Sequence, residues 1–148
     1  MTNNIVIKPL MPALASDYFD FFDNRAFSDN AEWSCCYCTY FHMDKESERQ
    51  VGDEVKADGG HDALRRALRS RAERFIDTGT LHGYLAYVGG IPIGFCNAND
   101  KSAYIRHIND TIPENSEHAK AVTCFVIAPE YRGQGVATPE WDRPQRRN

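Results

Sequence analysis

The stretch Ala121-Val-Thr-Cys-Phe-Val-Ile-Ala128, continued by Pro129-Glu-Tyr-Arg-Gly-Gln-Gly-Val-Ala-Thr138, decides how the rest of the chain is read. Its first half is almost continuously apolar, the pattern of a strand buried on both faces. Pro129 ends that run because proline has no N–H to give to a ladder. The second half places two glycines in a turn just before a helix start. Glycine lets the backbone come close to a ligand, and the free N–H groups of a helix N-terminus point at negative charge. Strand, turn and helix start together make an anion site suited to a pyrophosphate. Two nucleotide signatures fail here on spacing. A triphosphate loop needs Gly-Lys-Ser/Thr, and this segment has no lysine. A dinucleotide fingerprint needs a third glycine where Thr138 stands, and an acidic residue further on than the chain extends.

Working upstream, His82–Val88 and Ile91–Asn97 are two β-rich runs joined by Gly89-Gly90, a pair that tolerates the positive φ of a two-residue hairpin turn. Pro92 and Gly94 weaken the second run and point to a bulge or an edge position. A helix is expected from Asp62, as cap, to Gly79, with an apolar stripe of Leu64, Ala67, Leu68, Phe75 and Ile76 interrupted at Arg71. Arg65, Arg66, Arg69 and Arg74 lie mostly off that stripe and read as a solvated face. Residues 44–60, rich in Asp, Glu and Lys, read as a solvated loop with at most a turn or two of helix. Residues 28–42 alternate in the manner of an extended segment. A second helix is expected from Ser16 or Asp17 to about Ala26, with Tyr18, Phe21, Phe22 and Phe27 in the core. Ile5–Ile7 form a first strand, stopped at Pro9. Residues 98–118 read as an irregular connection with one short helix around 103–108.

The chain has 148 residues, which favours a single domain. Its 42% hydrophobic and 26% charged residues suit a globular fold rather than a disordered chain. A net charge of −4 argues against a general nucleic-acid binder. No apolar run reaches the roughly 18 residues of a membrane span, and residues 1–9 lack a signal-peptide layout. Five cysteines without a secretory signal point to a reduced, cytoplasmic compartment.

The segment at 132–137 resembles motif A of the GNAT N-acetyltransferase superfamily, Arg/Gln-x-x-Gly-x-Gly/Ala, with Arg132, Gly135 and Ala137 at its three defining positions. The order of elements, strand, two helices, Gly-Gly hairpin and buried strand, is similar to that family over residues 5–138. The resemblance implies an α/β (α+β) fold, a GNAT-like mixed, largely antiparallel sheet flanked by helices. It implies acetyl transfer from acetyl-CoA to a primary amine of a small molecule or peptide, without a metal. The backbone of Phe125, Val126 and Ile127 would pair with the pantetheine arm. The N–H groups of Arg132, Gly133, Gln134, Gly135, Val136 and Ala137 would cradle the pyrophosphate. The rival reading is a non-catalytic CoA-binding or interaction module.

In this family the segment between the first two helices often lines the acceptor pocket, and here it carries Trp33, Tyr37, Tyr40, Phe41 and His42. Glu32 and His42 are candidate bases, and Cys124 is a minority candidate nucleophile that an apolar strand would render inert. Asn97 and Asn99 are placed to orient an amide or a water. Cys35, Cys36, Cys38 and His42 are too compressed for a zinc site, and half-buried thiols are the expected reading. Residues 139–148, Pro-Glu-Trp-Asp-Arg-Pro-Gln-Arg-Arg-Asn, hold two prolines and no aliphatic stripe. They read as a tail outside the family after an incomplete domain at 1–138. The helix-strand-helix-strand portion that completes a GNAT fold is expected to be missing. A homodimer or strand exchange would then cover the exposed sheet.

Overall fold

The computed structural model describes residues 4–100 and 120–133. In chain order they form β1 (Ile5–Pro9), α1 (Ala15–Asn24), α2 (Lys45–Asp58), α3 (Gly60–Asp77), β2 (Gly83–Val88), β3 (Ile91–Asp100) and β4 (Lys120–Ile127). The strands lie in the order β1-β2-β3-β4, every neighbouring pair antiparallel. The expected antiparallel sheet flanked by helices is the architecture the chain adopts.

The β2–β3 hairpin turns through Gly89 and Gly90 at φ 58° and 78°, values that a side chain would strain. Ala86 pairs with Gly94 and Tyr87 with Pro92, so Ile93 is an extra residue, and β3 carries the bulge its proline and glycine announced. β3 is nevertheless an inner strand, between β2 and β4. Proline is accommodated there because the bulge already interrupts the ladder. Gly83 is required by close packing, since a Cβ at that position would lie 2.1 Å from the Cys96 carbonyl oxygen.

Side chains alternate between the two faces of the sheet. One face carries Leu85, Phe95 and Val126 into a core shared with α1 and α3. The other carries Ile7, Ala86, Ile93, Cys96 and Ile127. On α1, Tyr18, Phe19, Phe21 and Phe22 are buried, and Tyr18 and Phe22 meet Phe95 edge-on at ring-centroid distances of 5.0 and 5.8 Å.

Five expectations are corrected. Residues 44–60 are a helix, α2, not a loop. Asp44 caps it by accepting from the Ser47 N–H at 2.7 Å, Glu46 and Glu48 sit in its first turn, and Gly59 ends it at φ 73°. Its short apolar stripe, Val51 and Val55, packs on Ala67 and Leu64 of α3. Residues 28–42 are not extended but coil through short 3-10 turns at Ala31–Trp33 and Tyr40–His42. The arginines of α3 are not a solvated face as a group. Arg71 is buried and bridges to Glu54 of α2 at 2.7 Å, and Arg69 holds Asp23 of α1 at 3.0 Å. The cap of α3 is Gly59 rather than Asp62, which sits in the first turn. The expected connection over 98–118 begins later, since 98–100 continue β3. The helix at 103–108 and the tail at 139–148 lie outside the described residues.

Candidate functional site

β4 is the outer strand of the sheet among the described residues. Ala128 donates its N–H to the Ile93 carbonyl at 2.8 Å, and alternation back along the ladder turns the peptide groups of Val126 and Cys124 toward β3. The peptide groups of Phe125 and Ile127 therefore face away from β3. Phe125 is exposed, while Val126 and Ile127 are half-buried. Past the strand, Pro129–Tyr131 makes a 3-10 turn in which Arg132 N–H donates to the Pro129 carbonyl at 3.2 Å. Arg132 folds back, donating from Nε to the Ile127 carbonyl at 3.1 Å and pairing with Asp29 at 2.8 Å. Gly133 takes φ 76°, where a side chain would strain the turn. Gln134, Gly135, Val136 and Ala137 lie outside the described residues.

A cavity of about 480 Å³ opens between the 32–43 segment and Leu68 of α3, lined by Glu32, Trp33, Tyr37 and Tyr40 together with Cys36 and Cys38. Four residues that the sequence marked as acceptor or base candidates thus share one wall. Trp33 and Tyr40 are exposed, whereas Tyr37 is fully buried. The Tyr37 hydroxyl is engaged away from any ligand. It donates to Asp23 at 2.5 Å and accepts from Arg65 Nε at 3.1 Å, so its contribution to the cavity is its ring. Burial pushes the Asp23 carboxyl up, but hydrogen bonds from Arg69 and Tyr37 and the charges of Arg69 and Arg65 outweigh it and leave its pKa lowered. This Asp23–Arg65–Arg69 clamp escaped the sequence reading, because no spacing rule connects position 23 with positions 65 and 69.

Asn97 is fully buried on β3 and donates from Nδ2 to the Cys38 carbonyl at 3.3 Å. Tyr18 does the same for the Tyr37 carbonyl at 2.6 Å. Between them they hold Cys38 at φ 56°, a left-handed conformation uncommon outside glycine. His42 does not line the cavity. It is buried with its ring 5.8 Å from Phe75, and burial lowers its pKa to about 4. Glu32 stands exposed at the cavity, on a turn anchored by His61 Nε2 at 3.3 Å from its carbonyl. On β4, the Cys124 thiol is pushed up, first by its hydrogen bond to Cys36 and further by burial. Among the described residues, no three His, Cys, Asp or Glu side chains are grouped to hold a metal ion, and no helix is long and apolar enough to cross a membrane.

A solved GCN5-related N-acetyltransferase from Ralstonia eutropha superposes with a TM-score of 0.50 over 97% of this chain and 75% of its own, at 11% identity. The fold is that of the GNAT acetyltransferases. Two further solved structures are similar to this chain over 97% of its length. A ribosomal-protein-alanine N-acetyltransferase from Brucella melitensis has a TM-score of 0.48 at 16% identity, with 71% of its own chain covered. A predicted acetyltransferase from Clostridium acetobutylicum, solved with acetyl-CoA, has a TM-score of 0.46 at 14% identity, with 73% covered. No family model and no curated protein matches the chain.

Proposed function

We propose that this chain is an N-acetyltransferase, with residues 1–138 as its domain, that binds acetyl-CoA along β4 and acetylates a primary amine of a small molecule or peptide. The observation that carries the reading is the outer position of β4 among the described residues, with the peptide groups of Phe125 and Ile127 facing away from β3 in a GNAT-type sheet. Such an edge can pair with the amides of a pantetheine arm as an added strand does. The segment from Arg132 to Ala137 follows at once and would receive the pyrophosphate. Acetyl-CoA supplies the activated thioester.

The cavity, which reaches β4 through the Cys38–Cys124 contact, is the acceptor pocket in this reading, with Trp33, Tyr37 and Tyr40 as its aromatic wall. Glu32 is the favoured base, because it is the carboxyl group that lines the cavity. His42 is disfavoured, because burial weakens it as a base and sets it behind the cavity wall. Asn97 positions the wall through the Cys38 carbonyl. Cys124, with its raised pKa, is not a nucleophile in this scheme.

Titration of the full chain with acetyl-CoA should give saturable binding, and a thiol-release assay over a panel of amines should identify an acceptor. Ile127→Pro removes an N–H that faces away from β3 and so leaves the ladder intact. It should abolish acetyl-CoA binding while circular dichroism is unchanged. Binding unaffected by Ile127→Pro refutes the strand-edge reading, and binding without thiol release for any amine leaves a CoA-binding module.

A further inference from the structure

Three thiols that the proposed reaction does not use converge between the 34–39 segment and β4. Cys38 Sγ donates to Cys124 Sγ at 2.9 Å, although the two residues are far apart in sequence. Cys36, two residues before Cys38, lines the same cavity, and all three are free thiols. The arrangement is held from outside the cluster. Asn97 and Tyr18 grip the backbone of Cys38 and Tyr37, and Cys38 is kept in a left-handed conformation. The ladder fixes Cys124 opposite Asn97. Cys36 is half-buried and lines the cavity of about 480 Å³, so a small oxidant can reach it.

We propose that Cys36, Cys38 and Cys124 form a reversible redox site that a peroxide converts to a Cys38–Cys124 disulfide, with Cys36 as the initiating thiol. The Cys36 thiol is lowered, first by hydrogen bonds from Cys124 and Cys38, while burial raises Cys38 and hydrogen bonding to Cys36 raises Cys124. A thiol held toward its thiolate form beside two held protonated is the division of labour that initiation and resolution need. The Cys36 thiolate attacks one oxygen of hydrogen peroxide, the O–O bond breaks, and the departing hydroxide takes a proton to become water. The Cys124 sulfur then attacks the Cys36 sulfenic acid, the S–O bond breaks, and a second water leaves with the Cys124 proton. Cys38 exchanges into that bond. Its sulfur joins Cys124, the Cys36–Cys124 bond breaks, and the Cys38 proton passes to Cys36. The net change oxidises two thiols by two electrons and reduces one peroxide to two waters. Bond formation from the observed separation needs an approach of about 1 Å. The assignment rests on the thiols alone and is independent of what binds along β4.

The test uses the full reduced chain treated with hydrogen peroxide, alkylated, digested and sequenced by tandem mass spectrometry. The expected result is loss of two free thiols and two hydrogens in the intact mass, reversed by dithiothreitol, with a cross-link from Cys38 to Cys124. Cys36→Ser should slow its formation by at least about tenfold, while Cys35→Ser oxidises as the wild type does. The wild-type cross-link is read without any variant, so a misfolded substitution does not decide the matter. Accumulation of sulfinic acid without a cross-link overturns the proposal, as does a cross-link to Cys35 or full-rate oxidation of Cys36→Ser.

Discussion

Helices α1 and α2 are held by different physics. α1 has 10 residues and buries four aromatics, Tyr18, Phe19, Phe21 and Phe22, against the sheet. α2 has 14 residues and buries only Val51. Its remaining support is an Asp44 cap, an Arg49 pair with Glu46 and Asp53, and the Glu54–Arg71 bridge to α3. A helix anchored by apolar area declares itself in the sequence, because burial sets the spacing of large residues. A helix anchored by its cap and by a neighbour does not, because its charged residues also suit a solvated loop.

Substitutions should separate the two regimes. The largest effect is expected at Phe22, 1% exposed and in ring contact with Tyr18, Tyr37 and Phe95. Phe22→Ala should cost about 3–5 kcal/mol in urea unfolding, and a loss below about 1 kcal/mol would remove α1 as the apolar anchor.

Next comes acidification, through His42 beside α3. Its folded pKa of about 4 lies below the ordinary value of 6.5, so the unfolded chain binds the proton more readily. Stability contributed by neutral His42 is full above pH 6.5 and declines as the pH falls toward 4. Unfolding midpoints across that window should drop more steeply for the wild type than for His42→Leu, and hydrogen exchange should show α3 loosening before α1. Equal slopes would mean that His42 ionises alike in both states.

A smaller loss is expected from Asp44→Ala, which orphans the Ser47 N–H. Faster amide exchange confined to the first turn of α2 is the signature, and unchanged exchange would show that docking on α3 suffices. Smallest of all is Arg49→Ala, whose partners are exposed. No resolvable shift in midpoint is expected, and a clear one would promote surface pairing to a real support of α2.

Much of the site was legible in the same sense as α1. The apolar run at 121–128 and the hairpin glycines at 89 and 90 follow from local backbone chemistry, and β4 with its turn stands where they indicate. Of the aromatic segment expected at the pocket, Trp33, Tyr37 and Tyr40 line the cavity while Phe41 and His42 do not, and the local structure is coil rather than extended. An extended segment would also have put Cys36 and Cys38 on one face, with Cys35 on the other, but nothing local brings Cys124 of β4 against Cys38. Alternation in a short polar-aromatic stretch cannot tell a strand from a coil pinned by distant partners. Here the partners are Asn97, Tyr18 and Asp23, from a strand and a helix the segment does not adjoin.

What the sequence determined by itself was therefore local: the strands and their turns, the aromatic face of α1, the stripe of α3, and the strand-turn unit at 121–133. Each depends on residue type at short spacing, where periodicity and glycine or proline stereochemistry act directly. Tertiary structure alone decided that Arg71 is buried, that the Tyr37 hydroxyl is tied to Asp23, and that Cys38 meets Cys124. Those outcomes depend on which distant groups can satisfy a charge, a hydroxyl or a thiol withdrawn from water, and only the packed chain selects the partner.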